Sequence, residues 1–421
     1  MEVKDGYKMT KIGWIPEDWE TKKLGDISEL IKRKNGNKAE LPVLSISATI
    51  GFENQKDKFK KGVIAGNSLK NYTLLNRFEY SYNKGNSKAY PDGCIYRLEA
   101  YDEALVPFVY ISFKLDEHVS NDYCSHLFSN KRLIHQLRRY ITSGARQDGL
   151  LNISKEDFFK LSLPLPPLPE QQKIAEILTT VDDKIVSIEG RIQQTEQLKK
   201  GLMEKLLTEG IGHTEFKDTK IGRIPVSWGI ENINEISHRK SGHTPNRKKP
   251  EYWNGDIKWV SLADTYRLDR LYLSETEYTI SEEGIKNSSA VKLKKGAVII
   301  SRDAGIGKST IINDVMAVSQ HFIAWECGPK LYNIFLYYLL QYWKGKFERI
   351  ANGTTIKTIG LDFFKKMEVP LPAFPEQRQI ANILSTVDDK LDVLHTKKAN
   401  YETLKKGLME QLLTGKMRVK P

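Results

Sequence analysis

The sequence predicts an α/β (α+β) protein: two mixed α/β domains separated by a pair of long antiparallel coiled-coil helices, the halves forming a pseudo-two-fold internal repeat. Three observations predict it. The peptide "LPLPPLPEQQKIAEILTTVDDKI" (Leu163 to Ile185) returns about two hundred residues later as "VPLPAFPEQRQIANILSTVDDKL" (Val369 to Leu391). Each copy opens a run whose apolar residues step by three and four. The two segments that precede the copies resemble each other only faintly and are rich in β-branched and aromatic runs.

The chain has 421 residues, enough for several domains, and its hydrophobic share of 40% is that of a globular protein. The most apolar run, "LYNIFLYYLLQYW" (Leu331 to Trp343), is too short to span a bilayer and contains Gln341, so it reads as a buried core helix. The first twenty residues lack an apolar signal core, which predicts a cytoplasmic protein with no membrane association. Cys94, Cys124 and Cys327 are odd in number and scattered, indicating neither a disulfide framework nor a zinc site. A formal charge of +12 points to a polyanionic partner, since lysines and arginines near phosphates release condensed counterions.

Matched blocks flank the variable segments. "KIGWIP" (Lys11 to Pro16) returns as "KIGRIP" (Lys220 to Pro225), and "KKGLMEKLLTEG" (Lys199 to Gly210) as "KKGLMEQLLTG" (Lys405 to Gly415). Pro169 and Pro375 suit a helix start, and Glu170 and Glu376 sit where the positive end of the dipole favours an acid. Ile174, Leu178, Val181, Ile185, Ile188 and Ile192 form one seam. Ile380, Leu384, Val387, Leu391 and Leu394 form the other, which weakens at Lys398 before Tyr401, Leu408 and Leu412. With Gly210 and Gly415 closing the runs, each helix would be about 60 Å long. Each helix could instead pack on its own domain, but a seam this long needs a long partner, and the other copy supplies one. The resulting boundaries are residues 1–160 for the first domain, 161–210 for the first long helix, 211–366 for the second domain and 367–421 for the second helix.

The variable segments interleave basic and aromatic residues in loops, as in "SHRKSGHTPNRKKPEYW", which carries Arg247 and Lys248. Such clusters are usually solvated surface, but their recurrence in both halves of a basic chain favours DNA backbone contact. Loops combining glycine with forked or amide side chains can approach DNA closely and address base edges. These are "NKGNSK" (Asn83 to Lys88) and "SGARQ" (Ser143 to Gln147) in the first half, and "SRDAGIGK" (Ser301 to Lys308) and "NGTTIK" (Asn352 to Lys357) in the second. Arg146, Gln147 and Arg302 are the expected base readers, Lys84, Lys88, Lys308 and Lys357 the expected phosphate contacts, and Asn86 and Thr354 lie in the same loops. Each loop can equally be read as an ordinary tight turn facing water.

"GIGKST" (Gly305 to Thr310) ends like a phosphate-binding loop, but Arg302 stands where that motif needs its first glycine. No dinucleotide fingerprint, zinc-protease motif or nucleophile elbow is present. Asp182-Asp183 and Asp388-Asp389 are adjacent helix positions pointing in different directions, so they read as solvated or partner-facing edges rather than acid/base pairs. Gln171, Asp183 and Lys184, with Gln377, Asp389 and Lys390, stay the same between the copies although the seam needs only apolar residues. This marks them as expected partner-binding positions.

Two unlike segments, each preceding a P-x-x-P-E-Q-x-x-I-A-x-I-L helix, resemble the DNA-specificity subunit of type I restriction-modification systems across almost the whole chain. The resemblance implies that each variable segment is a target recognition domain reading one half of an asymmetric bipartite target in double-stranded DNA. It also implies that the paired helices set the half-site spacing and carry two methyltransferase subunits that methylate adenine, with restriction/translocase subunits joining the full complex. Two heads on one face of B-DNA would meet it about one helical turn, or 34 Å, apart. The chain itself would be non-catalytic and hold no cofactor. S-adenosylmethionine, ATP and Mg would belong to partner subunits, and no Asn/Asp-Pro-Pro-aromatic methyltransferase motif occurs here. A free-standing DNA-binding regulator, which would bind tightly alone, and a nucleotide-dependent P-loop enzyme are the rival readings.

Overall fold

The computed structural model describes residues 5–36, 41–47, 50–58, 66–85, 90–141, 151–353 and 357–420. The chain forms two compact units: residues 1–188 with 397–421, and residues 189–396. The first is therefore discontinuous in sequence.

Both long helices exist, spanning Leu168–Thr208 and Phe374–Leu412. Residues Gly210 and Gly415 follow them at φ of +68° and +69°, a left-handed conformation that halts a helix and that glycine adopts without a Cβ penalty. The predicted seam is buried at Ile174, Leu178, Val181, Ile188 and Ile192 and at Ile380, Leu384, Val387, Leu391 and Leu394. In the first unit Ile174 and Leu178, near the start of the first long helix, share a core with Leu412 and Leu413 at the end of the second. In the second unit Leu206 and Leu207, at the end of the first long helix, share a core with Ile380 and Leu384 at the start of the second. The helices thus run antiparallel.

The first unit opens with the hairpin Tyr7–Thr10 and Gly13–Pro16, and the second with its repeat, Phe216–Thr219 and Gly222–Pro225. The Thr10 hydroxyl donates to the Gly13 carbonyl at 2.7 Å and the Thr219 hydroxyl to that of Gly222 at 2.5 Å, which closes both turns alike. In the first unit a four-stranded antiparallel sheet runs Ser28–Leu30, Ile111–Leu115, Tyr80–Asn83, Cys94–Arg97. In the second the sheet has five strands: Ser237–Ser241, Phe322–Cys327, Val298–Ser301, Ser309–Ile312 and Tyr272–Leu273, the last pair parallel. A second sheet there sets Trp253–Val260 between Tyr278–Ile280 and Met316–Val318.

The apolar run near Leu331 forms the helix Asn333–Tyr342, and Phe335 through Leu340 are buried, as its composition predicts. Among the described residues no helix is long and apolar enough to cross a membrane.

Candidate nucleic-acid interface

In the second unit the strand Val298–Ser301 ends at the loop carrying Arg302 and Lys308. This loop is tied to the segment after residue 351: the Ile359 amide donates to the Arg302 carbonyl at 2.9 Å, and Arg302 Nε donates to the Ile359 carbonyl at 3.0 Å. Asn352 and Thr358 exchange backbone hydrogen bonds at 3.1 and 2.9 Å, and Lys357 beside Thr358 is exposed. The structure therefore brings together the two second-half loops singled out in the sequence. Thr354 lies outside the described residues.

Arg302 is half-buried, and one edge of its guanidinium is held by the backbone. Lys308 Nζ donates to the Thr265 carbonyl at 3.0 Å. Its loop leads into the strand Ser309–Ile312, whose Ser309 and Thr310 are buried. A phosphate-binding loop must open a helix to offer its amides, so "GIGKST" is not one. Arg247 is exposed, with its guanidinium 5.4 Å from the Trp253 ring centre and 5.7 Å from that of Tyr278, and Lys248 beside it is also exposed. An arginine held on aromatic faces loses little freedom when it meets a phosphate or a base.

In the first unit, after the strand Tyr80–Asn83, the Lys84 carbonyl accepts from the Leu151 amide at 2.9 Å, while the second predicted loop, Ser143 to Gln147, lies outside the described residues. The Asn83 side chain accepts from the Gly85 amide at 2.9 Å and donates to the Ile46 carbonyl at 3.1 Å, fixing how the chain leaves the strand. Asn86, Lys88, Arg146 and Gln147 lie outside the described residues.

A chain of polar contacts in the second unit went unread in the sequence. The Thr244 hydroxyl lies 2.6 Å from Gln320 Oε1, Gln320 Nε2 3.4 Å from His321 Nε2, and His321 Nδ1 2.6 Å from Asp303 Oδ2. The Thr358 hydroxyl closes the chain on Asp303 Oδ1. It links four loops. The available signal was the Ser-Gln-His interruption between two apolar strands in "MAVSQHFIAW".

The helix positions expected to face a partner divide into two groups. Asp183, Lys184, Asp389 and Lys390 are exposed. Gln171 and Gln377 are not, with exposures of 4% and 0%. Gln171 accepts from the Ser120 amide at 2.9 Å and donates to the Pro166 carbonyl at 2.8 Å. Gln377 accepts from the Tyr332 amide at 2.8 Å and donates to the carbonyls of Lys330 and Pro372, both at 2.9 Å. Their identity between the copies is thus internal: each glutamine satisfies backbone groups where the strand turns into the long helix, and neither is available to a docking protein.

Neighbouring groups are also repeated. Glu170 Oε2 accepts from the Trp19 indole at 3.1 Å, and Glu376 Oε2 from the Trp228 indole at 3.1 Å. Glu170 also pairs with Arg418 at 2.8 Å, and Glu376 with His213 at 2.8 Å, so each glutamate latches the chain leaving the other long helix. Arg418 hydrogen-bonds to Asp18 as well, and that bond holds the Asp18 carboxyl below the usual carboxylate range.

The family model for the type I restriction modification DNA specificity domain matches residues 108–197 and 225–402, well over half of the chain. The chain is 27% identical to a putative type I restriction enzyme MjaX specificity subunit of Methanocaldococcus jannaschii, covering 99% of this chain and 97% of that protein. It is 26% identical to the MjaVIII specificity subunit of the same organism, over 96% and 94%. Among solved structures, the S subunit of a type I restriction-modification system from M. genitalium superposes with a TM-score of 0.58 at 15% identity, covering 98% of both chains, a likeness of fold. With the repeated helix, the loops gathered in the second unit and this match in view, the chain belongs to the family of type I restriction-modification DNA specificity subunits.

Proposed function

We propose that each unit reads one part of an asymmetric bipartite target in double-stranded DNA, and that the helix pair docks two methyltransferase subunits that methylate adenine within it. The observation that carries this reading is that in both units the chain leaving a central strand accepts a backbone hydrogen bond from a distant segment, Lys84 from Leu151 in one and Arg302 from Ile359 in the other. Two heads of one architecture and different loop sequence call for two different half-sites.

Arg302 is the proposed base contact of the second unit, its forked donors suiting guanine. Arg247, Lys248 and Lys357 are proposed phosphate contacts. Asp183, Lys184, Asp389 and Lys390, exposed and repeated, suit a ligand common to both helices, which is why two copies of one partner are proposed. S-adenosylmethionine, ATP and Mg are assigned to partner subunits, along with the restriction/translocase activity.

The test is to co-express the chain with its methyltransferase subunit and map modified adenines across the host genome. A split motif with modified adenine supports the reading, and unmodified DNA with an assembled complex overturns it. Native mass spectrometry should give two methyltransferase subunits per chain. Arg302→Ala should relax discrimination in one half of the motif only.

A further inference from the structure

Strand Met316–Val318 passes to strand Phe322–Cys327 through a turn of three residues, Ser319, Gln320 and His321. The turn is held by the backbone on three sides. The Ser319 amide donates to the Val260 carbonyl at 2.8 Å, the His243 amide to the Val318 carbonyl at 3.1 Å, and the Arg302 amide to the His321 carbonyl at 2.9 Å. Gly242 permits this approach, since a Cβ there would stand 1.7 Å from the Val318 carbonyl oxygen. Gln320 sits at the tip and is exposed.

The side-chain contacts fix which way its amide faces. The Asp303 carboxylate only accepts, so the His321 Nδ1 beside it donates, and in that tautomer Nε2 is an acceptor. The Gln320 NH2 therefore turns to Nε2, and its Oε1 faces the Thr244 hydroxyl, which donates. This leaves one N–H donor and one lone pair on the same planar amide. Adenine offers the complement in the major groove, N7 as acceptor and N6–H as donor. Guanine offers two acceptors there, thymine an acceptor and a methyl group, cytosine a donor alone. An amide pinned in this orientation matches adenine and meets guanine with two oxygens opposed.

We propose that Gln320 reads an adenine of the DNA target, with His321, Asp303 and Thr244 as positioning residues that orient its amide. The inference rests on the proposed DNA-reading function and adds to it a specific base and a residue.

The experiment uses the chain assembled with its methyltransferase subunits and duplexes carrying 7-deazaadenine, which lacks the N7 acceptor, at each adenine of the target in turn. The unaltered complex should lose roughly tenfold or more in affinity at one position, the scale of a bidentate base contact. Gln320→Ala should bind the normal and 7-deaza duplexes equally at that position and keep its sensitivity elsewhere. His321→Ala should weaken binding in the unaltered background but add nothing to Gln320→Ala, whereas a structural defect would add in both. A Gln320→Ala complex that keeps the unaltered pattern at every adenine overturns the inference, as does additivity of the two substitutions for the positioning role. If the unaltered complex prefers no sequence, the proposed function falls instead.

Discussion

Lys405 Nζ lies 2.6 Å from Asp182 Oδ1, joining the end of the second long helix to the start of the first. The other unit repeats the pair in reverse, Lys199 Nζ lying 2.5 Å from Asp388 Oδ1. These ion pairs fix the register of the antiparallel seam as well as its direction. Reversing one charge, as in Lys405→Asp, should destabilise the first unit, and the swap Lys405→Asp with Asp182→Lys should restore most of the loss. Both side chains are about one-third exposed, so the coupling should be about 1 kcal/mol or less, measurable by a double-mutant cycle on chemical unfolding.

Glu170 is the costlier residue to lose. Its carboxylate is buried and serves both the Trp19 indole and Arg418, so Glu170→Ala should destabilise by about 3 kcal/mol. Hydrogen exchange should show protection lost around the hairpin Tyr7–Thr10 and Gly13–Pro16, with the second unit unaffected. Glu376→Ala should reverse that pattern.

Phosphate contacts carry no sequence information. Lys357→Ala or Arg247→Ala should weaken binding to all duplexes alike and lower the slope of log K against log salt by about one. Filter binding across a salt series on target and scrambled duplexes separates this from a base contact, which would affect one position of the target.

His126 stands where the second half has Tyr338. Its Nε2 lies 3.0 Å from the Thr179 hydroxyl and its Nδ1 3.7 Å from Asp182, beside a cavity of about 780 Å3 that Phe128, Ile134 and Tyr96 also line. Burial lowers its pKa below the ordinary 6.5, against the pull of Asp182. Below about pH 6.5 the unfolded chain therefore takes up a proton that the folded chain resists, so the stability present above that pH is lost as pH falls towards the folded value. His126→Tyr, which the cavity can accommodate, should remove this component. Melting temperatures of the two proteins should diverge between pH 7 and pH 5, the unaltered chain falling faster.

Much of the architecture was legible because it was written twice. The step of three and four from Ile174 to Ile192 is a direct statement of which helix face is buried, and Pro169 and Gly210 mark its ends to within a residue or two. Gln171 and Gln377 misled because identity between copies does not say which way a side chain points. At the first turn of these helices, the backbone of the preceding strand and of Ser120 or Tyr332 leaves amides and carbonyls to satisfy, and a glutamine does this from inside. The relay through Thr244, Gln320, His321 and Asp303 was illegible for a different reason. Thr244, Asp303 and the Gln320-His321 pair are far apart in sequence, and only the close approach at Gly242 and the strand pairing bring them within hydrogen-bond reach.

The discontinuity of the first unit has a consequence for the order of events during synthesis. Residues 189–396 are contiguous, so every residue of the second unit is synthesised before residues 397–421 of the first. The first unit, although residues 1–188 emerge earliest, lacks Leu412 and Leu413 from its core and Arg418 from Glu170 until those residues have left the tunnel. A released fragment ending at residue 396 would hold every residue of the second unit but an unfinished first one, exposing the apolar surface of Ile174 and Leu178 to chaperones.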